Sequence, residues 1–221
     1  MRPVIVFDVN ETLLDLAPIR EWFEASFGGS ISASEWFGEM LRLSFVSATT
    51  DRYQPFTTLA AHALSTTAAS HGHVATESDV VTIGTLMRNL GPHDDSRKGV
   101  EMLVDAGFTV AALTNSPPDQ AIDQLRNAGL DDLLTSVLTV EMVRRFKPHA
   151  SVYREAAKRL GVSTSDMVMI AAHDWDIAGA MAAGCGGIFI DRGGRPYSEA
   201  FPPPTMTAND IPDAAAQLIG V

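Results

Sequence analysis

The sequence predicts an α/β fold: a parallel sheet with helices on both faces, and a helical block inserted after the first strand. Three observations carry this. An apolar run at residues 3–7 ends abruptly in the polar stretch Asp8-Val9-Asn10-Glu11-Thr12. Residues from about 15 to 92 lack strand signals and space their large apolar side chains as helices do. From about residue 97 onward, strand-like and helix-like segments alternate, the pattern of parallel strands joined by helical crossovers.

Taken in order, Pro3-Val4-Ile5-Val6-Phe7 reads as a buried strand with a loop at its carboxyl end. In the middle block, Trp22, Phe23 and Phe27 share a helical spacing, as do Trp36, Met40, Leu41 and Phe45, and then Leu59, Ala63 and Leu64. A helix at 97–106 then leads to a strand at 108–113, and a helix at 118–128 to a strand at 136–140. A helix at 149–160 leads to 167–171, a helix at 176–183 leads to 187–190, and a last helix covers about 210–219. Pro202-Pro203-Pro204 reads as a surface connection before that helix. The organisation expected is therefore a core of residues 1–14 and 97–221 with a helical subdomain of residues 15–96. Ligands of such sheets bind at the carboxyl ends of the strands. The helical block would cover that edge as a cap, and the polar residues after each strand are the ones to examine.

Composition narrows the function classes. Of 221 residues, 46% are hydrophobic and 19% charged, which describes an ordinary globular protein. No apolar run approaches the ~18 residues that span a bilayer, and the start of the chain lacks a cleavable secretory pattern. The single cysteine, Cys185, cannot form an internal disulfide and reads as a small buried thiol. Both points lead to an expectation of a cytoplasmic protein. The net charge of −11 argues against nucleic acid or an anionic membrane as partner, while leaving room for a small anionic substrate at a locally positive site.

At the strand ends, four polar segments stand out: Asp8 with Asn10 and Thr12; Thr114-Asn115-Ser116; Lys147-Pro148; and Ala171-Ala172-His173-Asp174-Trp175-Asp176. Each has a bland alternative. A strand-end Asp commonly forms a turn or caps a helix. Ser116 before Pro117-Pro118 suits a helix start, and Lys147 suits a solvated charge. What raises them together is that this architecture converges all four on one site.

The order and spacing of Phe7-Asp8-Val9-Asn10-Glu11-Thr12-Leu13, Leu113-Thr114-Asn115-Ser116, Phe146-Lys147-Pro148 and Asp176-Ile177-Ala178-Gly179-Ala180 resemble the haloacid dehalogenase superfamily over essentially the whole chain. Within it, Arg52-Tyr53-Gln54-Pro55-Phe56, Val152-Tyr153 after Lys147-Pro148, and Trp175-Asp176 are similar to the type II 2-haloacid dehalogenases. The resemblance implies a Rossmann-like core with a helical cap, a possible homodimer, and a hydrolase needing no metal or other cofactor. Its substrate would be a small halogenated carboxylate. Asp8 would displace halide and form an ester that water then cleaves. Lys147 would keep Asp8 ionised, and Asp176 would orient Lys147 or serve as general base. Thr12 and Thr114 would donate to Asp8 or to the substrate carboxylate, and Asn115 would hold the carboxylate or halide. Tyr153 would lie near the carboxylate pocket, although a tyrosine on a helix suits the core equally. Phe56, Trp175 and Leu41, with Trp36, would line an apolar pocket, or simply be core.

The chain also departs from that pattern. Phe37 follows Trp36 where an arginine would receive the halide, and Arg42 lies a turn and a half further along the same helix. Ala171 and His173 replace a serine and an asparagine, and Asn10 replaces an aromatic residue. Asn115, Asn10 or His173 would then have to hold the halide, with a backbone-bonded loop histidine the alternative for His173. The superfamily's phosphatases usually carry a second aspartate where Asn10 stands, and a Mg²⁺-binding carboxylate where Ala171 stands. Phosphate-ester hydrolysis is the lesser alternative on that chemistry, and a relative specialised for another small carboxylate is a third.

Overall fold

The computed structural model describes residues 2–193 and 195–220, so Met1 and Val221, the outer limits expected for the core, lie outside the described residues. The first strand, β1 (Val4–Phe7), is buried along its whole length, because helices cover both faces of the sheet. Four helices follow: α1 (Ala17–Phe27), α2 (Ala33–Thr50), α3 (Phe56–Ser70) and α4 (Glu77–Arg88). The alternating part comprises α5 (Ser96–Asp105), β2 (Val110–Thr114), α6 (Pro118–Asn127), β3 (Ser136–Thr139) and α7 (Ala150–Arg159). It continues with β4 (Met167–Ala171), α8 (Asp174–Ala182), β5 (Gly186–Ile190), β6 (Met206–Ala208) and α9 (Ile211–Ile219). The strands form one parallel sheet in the order β3-β2-β1-β4-β5-β6. None of the described helices is long and apolar enough to cross a membrane.

That order places the topological switch beside β1, whose neighbours are β2 on one side and β4 on the other. Phe7 pairs with Ile170 in register. The residues after β1 and after β4 therefore emerge side by side, although more than 160 positions separate them in sequence.

Local chemistry accounts for most element ends. Ser32 accepts from the Glu35 amide at the start of α2, and Thr76 with Asp79 makes a capping box on α4. Helix α6 begins at Pro118 with Pro117 as its cap, so the cap is not Ser116, whose amide instead donates to Thr114 Oγ1. Strand β2 starts two residues later than the apolar run suggests, because Gly107 (φ 83°) and Phe108 are taken up in closing α5. Strand β6 escapes sequence reading because three residues at a sheet edge carry no periodicity; only Ala208 of the three is buried. Helix α8 starts at Asp174, two residues earlier than expected, which puts Asp174, Trp175 and Asp176 in its first turn. Carboxylates are favoured there by the helix dipole.

Two helix glycines set close packing. An added Cβ on Gly99 of α5 would lie 2.3 Å from Ile211 Cγ2 of α9. One on Gly179 of α8 would lie 2.4 Å from Pro148 Cβ and 2.8 Å from Tyr153 Oη. The latter approach brings α8 against the loop that carries Lys147.

Candidate active site

Asp8 leaves β1 with its amide bonded to the Ile170 carbonyl at 3.0 Å, which anchors it at the β1–β4 boundary. Lys147 arrives from the loop between β3 and α7. Its Nζ donates to Asp8 Oδ1 at 2.8 Å, to Asp176 Oδ2 at 2.6 Å and to the Leu113 carbonyl at 3.0 Å, using all three protons. Tyr153, from α7, donates to Asp176 Oδ1 at 2.6 Å. On the other side of Asp8, Thr12 Oγ1 donates to its Oδ2 at 2.7 Å and accepts from the Ala172 amide at 3.0 Å. His173 completes the group: its Nδ1 lies 3.1 Å from Asp8 Oδ2, and its Nε2 lies 2.8 Å from Glu11 Oε2.

The electrostatics follow from burial and pairing. Burial pushes the Asp8 carboxyl up, but the Lys147 charge and the His173 hydrogen bond outweigh it and hold Asp8 well below the ordinary carboxylate range. Burial pushes Lys147 down, and the charges of Asp176 and Asp8 more than reverse this. For His173, burial is again opposed, here by hydrogen bonds to Asp8 and Glu11, and its pKa rises to about 10. Burial raises the Asp176 carboxyl; Lys147 pulls against it and the Asp8 charge adds to it. Burial and Asp176 also push the Tyr153 hydroxyl well above its ordinary value, so it remains a donor.

A cavity of about 1000 Å³ lies over this site, with Leu41, Phe45, Ala172, His173 and Trp175 among its walls. Asp8 is one residue beyond that wall, 5% exposed, reached past His173. The His173 ring is stacked by Phe37 at 6.0 Å between centroids and 19° between planes, with Trp175 at 5.0 Å on α8. Arg20, Arg192 and Arg195 also line the cavity. Arg192 reaches the Thr12 carbonyl at 2.6 Å and Asp95 at 2.7 Å.

Of the residues singled out from sequence, Asp8, Thr12, Lys147, Asp176, Tyr153 and His173 come together in one hydrogen-bonded group, with Leu41 and Trp175 on the cavity beside it. Asn115 touches the group through the Lys147 amide, which donates to Asn115 Oδ1 at 3.2 Å. Others face elsewhere. Asn10 turns toward α6, accepting from Gln124 Nε2 at 3.1 Å, because the loop after β1 runs under that helix. Thr114 is spent on the Ser116 amide at 3.1 Å. Tyr153 is fully buried and sits beneath Asp176, away from the cavity. Phe56 lines a separate cavity of about 110 Å³ among α2, α3, α4 and α6, because its ring packs on Phe146 at 5.7 Å. Trp36 is core, donating to the Ala60 carbonyl at 3.0 Å. Arg42 is exposed and paired with Glu39 on its own helix at 2.7 Å. Among the described residues, no three His, Cys, Asp or Glu side chains are grouped so as to hold a metal ion.

Sequence reading passed over Glu11, whose carboxylate meets His173, and over Phe37 as a stacking partner. Glu11 occupies a left-handed backbone position (φ 62°), which no residue pattern announces. The signal that finds it is the strand order, which sets the β1 and β4 loops side by side.

The chain is 24% identical to (S)-2-haloacid dehalogenase H-109 of Pseudomonas putida over 99% of this chain and 100% of that protein. It is 27% identical to (S)-2-haloacid dehalogenase 4A of Burkholderia cepacia over 93% of this chain and 90% of the relative. The solved structure of L-2-haloacid dehalogenase from Xanthobacter autotrophicus with chloropropionic acid covalently bound has the same fold, with a TM-score of 0.89 and 23% identity over the whole of both chains. The model of the haloacid dehalogenase-like hydrolase family matches residues 3–184, so the chain belongs to the haloacid dehalogenase-like hydrolases.

Proposed function

We propose that this hydrolase cleaves the carbon–halogen bond of short 2-haloacids, giving 2-hydroxy acids through an ester on Asp8. The observation that carries the proposal is Asp8 itself. A buried carboxylate held ionised by Lys147 at 2.8 Å is a nucleophile kept ready for an sp³ carbon. The similar proteins named above are dehalogenases of this substrate class, which supports the same reading.

The remaining roles follow from contacts. Lys147 keeps Asp8 charged, and Asp176 orients Lys147. Tyr153 holds Asp176. Thr12 fixes one carboxylate oxygen of Asp8. Both ring nitrogens of His173 are committed to carboxylates, so it offers no N–H to a halide. Asn10 is committed to α6, which leaves the Asn115 amide as the halide donor nearest Lys147. The arginines on the cavity wall supply the positive charge that a substrate carboxylate needs on its way in. We take α1 to α4 as the cap. Phe37 of α2 lies against His173 and Phe45 of α2 against Trp175, so substrate reaches Asp8 when these side chains part.

The test is free halide from racemic and enantiopure 2-chloropropionate and from fluoro- and chloroacetate, with EDTA present. Halide release that falls more than about 1,000-fold in Asp8→Ala is the expected result. Full activity in that variant would sink the proposal.

A further inference from the structure

We propose that His173, held by Glu11, is the base that activates water against the Asp8 ester; the proposal rests on the esterification of Asp8 argued above. The contacts around Asp8 leave no other group free for this work. Asp176 has no exposed surface, and both its oxygens already accept, from Lys147 and from Tyr153. Lys147 is a cation with every proton donated. Thr12 donates to Asp8 and accepts from Ala172. His173 touches Asp8 on one side and forms part of the cavity wall on the other, where water is at hand. Its ring is fixed by Phe37 and Trp175. Glu11, 2.8 Å from Nε2, sets the tautomer: with the proton on Nε2, the lone pair of Nδ1 points at the Asp8 carboxyl.

The pairing also explains why the base is silent until needed. In the resting enzyme the Asp8 carboxylate and Glu11 both favour the imidazolium. Displacement of halide turns Asp8 into a neutral ester, which removes one of the two anions holding the proton. Other charges on the cavity wall divide in sign. Asp174 on α8, Asp15 before α1 and Asp191 after β5 favour the cation, while Arg20, Arg192 and Arg195, and Lys147 beyond Asp8, favour the neutral ring. His93 Nε2 donates to the Glu11 carbonyl at 3.1 Å and braces that loop.

The step balances as follows. After halide departs, His173 releases one proton to solvent through the cavity. Water then attacks the Asp8 carboxyl carbon, and one of its protons passes to Nδ1. Collapse of the tetrahedral intermediate breaks the bond between that carbon and the ester oxygen. The leaving alkoxide takes the proton from His173 and departs as the 2-hydroxy acid. The carboxyl proton that remains returns to Nδ1, restoring the carboxylate–imidazolium pair. Over the cycle, one halide and one proton are released per water consumed. His173 is catalytic in this sequence and Glu11 is a positioning residue.

The experiment is a rapid-mixing halide measurement with 2-chloropropionate on the unaltered enzyme, His173→Gln and Glu11→Gln, with intact-protein mass spectrometry of each. The unaltered enzyme is expected to turn over many times. His173→Gln is expected to release about one halide per enzyme, stop, and carry the mass of the Asp8-linked acid, with ester hydrolysis slowed roughly 100- to 10,000-fold. Glu11→Gln keeps an acceptor for Nε2 but loses the charge. It is expected to hydrolyse the ester more slowly, with its pH profile shifted to lower pH because the His173 proton is held less firmly. Full turnover in His173→Gln, or loss of its initial halide release, overturns the assignment while leaving dehalogenation in place. So does a Glu11→Gln enzyme with unaltered rate and pH profile, a variant useful because Glu11 is half-exposed and its replacement leaves the core intact. No halide from the unaltered enzyme on any haloacid overturns both readings, a result distinct from the others.

Discussion

Two buried cations and three carboxylates decide this site at the scale of single residues. Lys147, with a side chain 1% exposed, is tolerable because Asp8 and Asp176 both meet it; removing Lys147 would leave two buried carboxylates without their shared cation. His173 makes the same point with a titration that can be followed. Its pKa is raised to about 10 from an ordinary 6.5 by the hydrogen bonds to Asp8 and Glu11. A group raised on folding stabilises fully below its unfolded pKa, and that stability is lost as pH climbs through the folded value. The melting temperature of the unaltered protein should therefore exceed that of His173→Gln near neutral pH, and the gap should close as the buffer approaches about pH 10. Each kcal/mol corresponds to about 2–4 °C for a chain of this size. A gap that widens with pH would show that the imidazolium is not the stabilising form. Acidification acts in the opposite sense through Asp8, whose lowered pKa contributes stability that disappears below its ordinary value of 3.8.

Between elements, the site depends on how closely α8 approaches the Lys147 loop and α7. Gly179 permits that approach, since any Cβ there would meet Pro148 at 2.4 Å and the Tyr153 hydroxyl at 2.8 Å. Gly179→Ala is expected to cost about 1–3 kcal/mol through overpacking. It should also lower turnover, because Tyr153, Lys147 and Asp176 shift together. Gly84 of α4 has open space at the same position, and its replacement by Ala should raise stability by about 0.5–1 kcal/mol with turnover unchanged. Urea midpoints and halide release on the two variants check both statements. Equal effects would mean that close approach of α8 does not set the site.

The whole molecule adds a field that opposes the local one. The net charge of −11 repels an anionic substrate at long range, whereas Arg20, Arg192 and Arg195 attract it within the cavity. Salt shortens the reach of the former to about 10 Å at 0.1 M and affects the enclosed contacts less. The value of kcat/KM for 2-chloropropionate should therefore rise, by less than about tenfold, as ionic strength increases from low salt to 0.1 M. A fall would show that the cavity arginines dominate the approach as well as the encounter. The packing of α4 against α6 belongs to this scale too. Gln124 of α6 bridges it, donating to the Met87 carbonyl of α4 at 2.7 Å and to Asn10 at 3.1 Å.

The alternating strands, the helical block after the first strand, and the polar residues Asp8, Thr12, Lys147 and Asp176 at strand ends were legible in the residues alone. Each depends on local periodicity, or on a polar residue placed at a strand end, where the parallel sheet must present it. Three things were decided only by the tertiary structure. The strand order set the loop after β1 beside the loop after β4 and so paired Glu11 with His173. The direction each side chain took sent Asn10 to α6, Thr114 to its own loop and Phe56 to a separate cavity. The starting point of α8 put Asp176 inside the helix's first turn, enclosed by Lys147 and Tyr153. The reason is common to all three. Sequence pattern fixes which face of an element a residue occupies, but a contact between residues distant in the chain depends on how elements stack and how far they rotate, and that is a property of packing.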